Sequence, residues 1–430
     1  MTPRAVRGEG TLRRGLAASR HVLGNGTVVI SKEAPTVPAV TIQIGVKAGS
    51  IYDSNTLVGL SHLASRVLDR GTLHKTTDDI AEALDERGVS LTVGANRHVM
   101  TVSCTCLSED FEAMLALVGE IVMQPAFPER EVDTRKGEVL NAIRQDEDSP
   151  AATAMQALFR MLYPDEHPYG RPSKGSVESV SRIGRNDLVE FHHARFAPSA
   201  TTAVVVGDVE RERAVAAGER VFGSWRTPAP GDIALAHPPA DRSRQDRVIS
   251  MMNKAQADIA YGFTTIVRSD PRYYAYTLMN NALGQYGIGG RLGDSIRERQ
   301  GMAYYVFSSF DANVVQGPLI VRAGVNPANV DRAIRSIDEE MRRMAAEGMT
   351  SEELADCKQY LIGSIPRLLE TNGAIATFLQ TAEFFGLGLD HDLRLPSLLE
   401  SVTLEDVNAA ARQTLDVDRA SVVVAGPYQR

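Results

Sequence analysis

At 430 residues the chain is long enough for two domains of about 200 residues each, and its 43% hydrophobic and 23% charged content allows each a full core. A formal net charge of -8 argues against a nucleic-acid partner, which would want a basic face. The three cysteines, Cys104, Cys106 and Cys357, are too few for a disulfide framework, and no apolar run is long enough to span a bilayer. The first 20 residues are polar and Arg-rich and lack the apolar centre of a signal peptide, so a cytoplasmic location is expected, or a periplasmic one if a leader was removed.

In chain order, His21 to Lys32 reads as a hairpin turning at Gly24-Asn25-Gly26, and Val37 to Val46 as a strand. A helix near Leu57 to Asp69 follows, and Thr76-Thr77-Asp78-Asp79 caps another through Arg87, ended by Gly88. Val89 to Gly94 and Met100 to Leu107 alternate as paired strands. Cys104 and Cys106 then share one strand face as buried thiols. Helices are predicted at Ser108 to Met123, Glu129 to Glu147, Ala151 to Leu162 and Asn186 to Arg195. A strand at Thr201 to Val206 and a helix to Phe222 complete the half.

Gly223, Pro228, Pro230, Gly231 and Pro238-Pro239 then crowd a stretch that can form neither a helix nor a central strand. This is the linker, and it divides the chain into 1–222, 223–246 and 247–430. Beyond it the order of elements returns: a strand at Asp258 to Phe263, helices at Tyr273 to Leu283 and Arg291 to Arg299, a strand at Tyr304 to Ser309, and long helices at Pro327 to Ala346 and Ser351 to Phe385. Asn186-Asp187-Leu188-Val189 leading to Val204-Val205-Val206-Gly207 parallels Leu404-Glu405-Asp406-Val407 leading to Val422-Val423-Val424. The offset, from Val204 to Val422, is 218 residues, so the chain is an internal duplication. The expected fold class is α+β: two homologous domains, each an antiparallel-rich sheet with helices packed on one face.

Two stretches carry chemistry. The first is Gly59-Leu60-Ser61-His62-Leu63-Ala64-Ser65-Arg66, closing at Arg70-Gly71-Thr72. In an H-x-x-E-H helix the two histidines at i and i+4 hold zinc and the glutamate activates water. Here Ser65 stands at the glutamate position and Arg66, a fixed cation without a lone pair, at the second histidine. The second is Gly289-Gly290-Arg291-Leu292 through Arg297 to Arg299-Gln300-Gly301-Met302-Ala303-Tyr304. Arg297 and Tyr304 stand on either side of a glycine turn, where a guanidinium and a phenol can converge on a peptide carbonyl and its oxyanion. The glycines from Gly287 to Gly293 lack a P-loop lysine and read as flexibility beside a cleft rather than a phosphate cradle.

These motifs and their surroundings resemble the inverzincin (pitrilysin-like) zinc peptidases over nearly the whole chain, especially the short branch with the mitochondrial processing peptidase and the bc1 core proteins. The resemblance places a third zinc ligand on Ala142, in the helix ending Asp146-Glu147-Asp148-Ser149-Pro150, and a supporting glutamate on Arg135. It also implies that Arg297 and Tyr304 hold the substrate backbone. Taken alone, those two would be a surface arginine and a half-buried strand tyrosine; the matching flanks decide for the functional role. His62 is read as a hydrogen-bonded, semi-buried residue, Tyr305 as facing away from Tyr304, and His167-Pro168-Tyr169-Gly170 as a structural loop. His192 and His193, about 100 degrees apart on a helix, cannot chelate together.

The resemblance implies a non-catalytic subunit of a heteromeric zinc metallopeptidase. It would supply Arg297 and Tyr304 in trans to a homologous, metal-competent partner, with no cofactor of its own and the zinc in that partner. A structural scaffold of the bc1 core-protein type is the alternative. An independent peptidase would have to bypass Ser65, Arg66 and Ala142.

Overall fold

The computed structural model describes residues 15–164, 167–239, 243–285 and 290–429. Most of the Arg-rich N-terminal stretch, and Gly287 and Gly289, lie outside the described residues. The first half runs β1 (Ser19–Val22), β2 (Val28–Glu33), β3 (Ala39–Val46), α1 (Leu60–Val67), α2 (Thr77–Asp85), β4 (Ser90–Ala95), β5 (Met100–Leu107) and α3 (Phe111–Met123). It continues with α4 (Glu129–Glu147), α5 (Pro150–Leu162), α6 (Val177–Arg182), α7 (Arg185–Arg195), β6 (Thr201–Gly207) and α8 (Arg211–Phe222). The second half runs β7 (Gln245–Ser250), β8 (Ala257–Thr264), α9 (Tyr273–Gly284), β9 (Ala303–Phe310), β10 (Pro318–Val325) and α10 (Val330–Glu347). It closes with α11 (Ser351–Leu368), α12 (Asn372–Phe384), α13 (His391–Glu400), α14 (Leu404–Thr414) and β11 (Ser421–Gly426).

Among the described residues the strands form two sheets, in the orders β1-β2-β6-β3-β5-β4 and β7-β11-β8-β10-β9. Setting β1 aside, the two orders are the same, with one parallel pair in each, β2 with β6 and β7 with β11. The duplication reaches side chains. Lys136 on α4 donates to the Ile183 carbonyl just past α6, at 2.8 Å, and Lys358 on α11 donates to the Glu400 carbonyl that ends α13, also at 2.8 Å.

Several predicted elements need correction. The helix drawn from Ser351 to Phe385 is two helices: Pro366 lies near the end of α11, and the Thr371 hydroxyl accepts from the Ala374 amide to start α12 afresh. The helix expected at Arg291 to Arg299 is present over 291–298, but its Gly293–Glu298 part is wound as a π-helix. Strands β7 and β10 and helices α6 and α13 were not foreseen, and β7 begins inside the stretch assigned to the linker.

Each sheet is covered on one face by helices of its own half, around cores containing Ile42, Leu63 and Phe111 in the first and Tyr261, Leu278 and Ile337 in the second. The structure adds a second cover, exchanged between halves. From α5, Ala157 and Leu158 pack on Ala260, Val423 and Ala425 of the second sheet. From α12, Ile375, Ala376 and Leu379 pack on Ile30, Val204 and Val206 of the first. Gly45 on β3 leaves room for the Gln380 side-chain amide, which a Cβ there would overlap. Gln43 bonds to Gln380 and Thr377, and Tyr163, past α5, donates to the Gln316 carbonyl at 2.8 Å. The linker is held to both halves, by His167 at the Ala236 carbonyl and by His237 at Gln316. No described helix is long and apolar enough to cross a membrane.

Candidate functional site

The altered zinc helix α1 is capped by a buried carboxylate rather than by its own first residue. Asp53, 4% exposed, accepts from the Gly59 amide at 2.8 Å and the Ser61 amide at 2.9 Å, and burial raises its pKa to about 6. Residues 62 and 66 lie one turn apart on the same face of α1. Arg66 meets Glu138 of α4 at 3.5 Å. Glu138, Ala142 and Asp146 stand at successive i+4 positions, so Ala142 lies on the same face of α4. Lys174 closes the far end of that face on Asp146 at 2.6 Å. His62 is half-buried, and desolvation, reinforced by Lys174 and Arg66, lowers its pKa to about 4, leaving a neutral imidazole.

The structure thus brings His62, Ser65, Arg66 and Ala142 to one helix pair, and their donor set does not fit a zinc ion. Ser65 donates its hydroxyl to the His62 carbonyl at 2.7 Å. Arg66 brings positive charge, and Ala142 has no lone pair to offer. Arg135, at the supporting-glutamate position, is engaged by Glu131 and Glu138. The carboxylates on this face therefore neutralise guanidinium and ammonium groups. Among the described residues no group of three or more His, Cys, Asp and Glu could hold a metal ion.

The second candidate site lies at the open edge of the other sheet. Arg297 belongs to the turn Gly293–Glu298, with its side chain 40% exposed and Glu298 beside it at 3.6 Å. Gly301, with φ +61, returns its amide to the Arg297 carbonyl at 3.0 Å, and the chain enters β9. Along β9 the pairing with β10 steps from Tyr305↔Gly324 to Ala303↔Val325, which leaves Tyr304 as the extra residue of a β-bulge. A bulge at a strand edge re-aims the side chain it carries, and Tyr304 is 64% exposed.

Its neighbour is anchored. Tyr305 donates its hydroxyl to Asp258, a carboxylate 4% exposed that also accepts from the Gln256 amide at 3.2 Å. Gly324 opposite must lack a side chain, since a Cβ would come within 2.5 Å of the Tyr305 ring. Sequence reasoning missed Asp258 and the bulge. The available signal was a carboxylate inside the apolar strand run Ala257-Asp258-Ile259-Ala260-Tyr261.

The other singled-out groups are structural. His167 caps its own turn and bonds to the linker, and Tyr169 bonds to buried His98 at 2.6 Å. His192 bonds to the Val122 carbonyl at 2.8 Å. Cys104, Cys106 and Cys357 are buried free thiols.

Known proteins resemble this chain in sequence and fold. Residues 28–172 match the profile "Insulinase (Peptidase family M16)" and residues 182–361 the profile "Peptidase M16 inactive domain". An uncharacterized zinc protease of Mycobacterium leprae is 29% identical over 96% of this chain and 93% of its own length. One of Bacillus subtilis is 25% identical over 94% and 98%. The crystal structure of a peptidase M16 inactive domain from Pseudomonas fluorescens superimposes with a TM-score of 0.89 at 27% identity, covering 96% of this chain and all of that one.

Proposed function

The chain belongs to peptidase family M16, and on that premise we propose that it is a non-catalytic, substrate-binding subunit of a heteromeric zinc metallopeptidase. The observation that carries this reading is an asymmetry. The helix pair that would hold zinc presents His62, Ser65, Arg66 and Ala142, whereas Arg297 and Tyr304 stand exposed at a turn and an edge-strand bulge. In the complex a homologous chain bears the metal and generates the attacking water. Arg297 and Tyr304 reach its cleft, donate hydrogen bonds to the peptide carbonyl and tighten on the oxyanion as charge develops there.

Three measurements test this. Elemental analysis of the purified chain should find no stoichiometric zinc. Peptide hydrolysis should be absent for the chain alone and appear on mixing with a homologous chain that carries an intact H-x-x-E-H helix. Arg297→Ala should then cut turnover while size-exclusion chromatography shows the mixed complex still assembled. Unchanged turnover in that variant would return the chain to the scaffold reading. Hydrolysis by the lone chain would end both.

A further inference from the structure

Away from both of these regions, α9, α11 and α13 enclose a cleft of about 490 Å³, within the range of about 300–1,000 Å³ typical of small-ligand pockets. One wall is apolar: Leu361, Ile365 and Leu368 from α11 face Leu395 and Leu399 from α13, and Leu368 is left 51% exposed. Both walls are helices with an interior proline, Pro366 in α11 and Pro396 in α13. Neither proline can return an N–H to the carbonyl one turn back, at Ile362 and Asp392.

The lining also carries the opposite chemistry. The Arg268 guanidinium lies 3.6 Å from the centre of the Tyr273 ring, a cation–π contact that holds it in place, and Arg367 extends from the last turn of α11. No aspartate or glutamate lines the cleft, and neither arginine has an ion pair among the described residues. Some other arginines of the same half are paired, as Arg291 is with Glu353 and Arg244 with Asp338. On a chain of net charge -8, two arginines without carboxylates beside an apolar hollow define a complementary ligand.

We propose that this cleft binds an apolar chain that ends in a carboxylate, its tail along α11 and α13 and its head between Arg268 and Arg367. A free medium-chain carboxylate and the C-terminus of a peptide ending in leucine share this chemistry.

The test is calorimetric titration of the full chain with decanoate, with decan-1-ol, and with a short leucine-terminated peptide as free acid and as amide. Saturable binding at one site is expected for decanoate or for the free-acid peptide. It should weaken about tenfold or more when the carboxylate is replaced by the alcohol or the amide, and again in Arg268→Gln and Arg367→Gln at unchanged melting temperature. Whichever acid binds more tightly identifies the source of the ligand. Absence of saturable binding by either acid, equal binding of the neutral analogues, or indifference to both substitutions would overturn the proposal. Peptide cleavage plays no part in the readout, so the result stands apart from the subunit reading.

Discussion

The two halves share a strand order and even a matched pair of bridging lysines, yet their corresponding edge strands differ. In the first sheet β4 pairs with β5 without a break from Ser90 to Ala95. In the second, the edge strand β9 breaks register at Tyr304 and pins Tyr305 to a buried carboxylate. The helices show the converse: the facing sides of α1 and α4 are joined by an exposed ion pair, Arg66 with Glu138. A duplicated scaffold constrains the backbone, while single side chains and one inserted residue make the two halves differ at corresponding places.

The exchanged helices give the strongest way to break this comparison. Leu158 and Leu379 are fully buried, each against the other half's sheet. Leu158→Ala and Leu379→Ala should each cost about 2–5 kcal/mol in denaturant unfolding. Both should leave a single transition, because neither sheet keeps its second cover without the other half. Two resolved transitions would show the halves to be independent.

Next in size is the β9 edge. Arg297→Ala should lower kcat of the mixed complex by about 10²–10³-fold, the usual cost of one oxyanion donor, and His62→Ala should leave kcat unchanged. Asp258→Asn sharpens the point: it weakens the anchor of Tyr305 and should reduce kcat by a smaller factor than Arg297→Ala. A Tyr304→Phe, Asp258→Asn double variant should be no worse than Tyr304→Phe alone, since the anchor acts through Tyr304.

Acid should weaken the fold through its buried histidines. Burial lowers the pKa of His98 and His192 to about 4. Between pH 6.5 and 4 the unfolded chain therefore binds more protons than the folded one, and stability falls as pH falls. For His192, 7% exposed, the loss at pH 5 is on the order of 1–2 kcal/mol. Asp53, raised to about 6, acts in the opposite sense, losing its contribution as pH rises through that value. Urea titrations of the parent and of His192→Gln at pH 7 and pH 5 should show a smaller pH dependence in the variant. The smallest effect is expected at the pair between α1 and α4: Arg66 and Glu138 are 46% and 44% exposed, so Arg66→Ala should change stability by about 1 kcal/mol or less.

The sequence by itself determined the duplication, the helix and strand periods of most elements, and the non-ligand residues Ser65 and Ala142 and the cation Arg66 on α1 and α4, because apolar spacing and residue identity are local properties. It also located Arg297 and Tyr304 on either side of Gly301. The break between α11 and α12 was present in Pro366 and Thr371, but a long helical period hid it. Only the tertiary structure decided the exchange of α5 and α12, the bulge that turns Tyr304 outward, and the pairing of Tyr305 with Asp258. Each of these depends on residues tens or hundreds of positions apart meeting across a sheet, and such contacts leave no period in the chain.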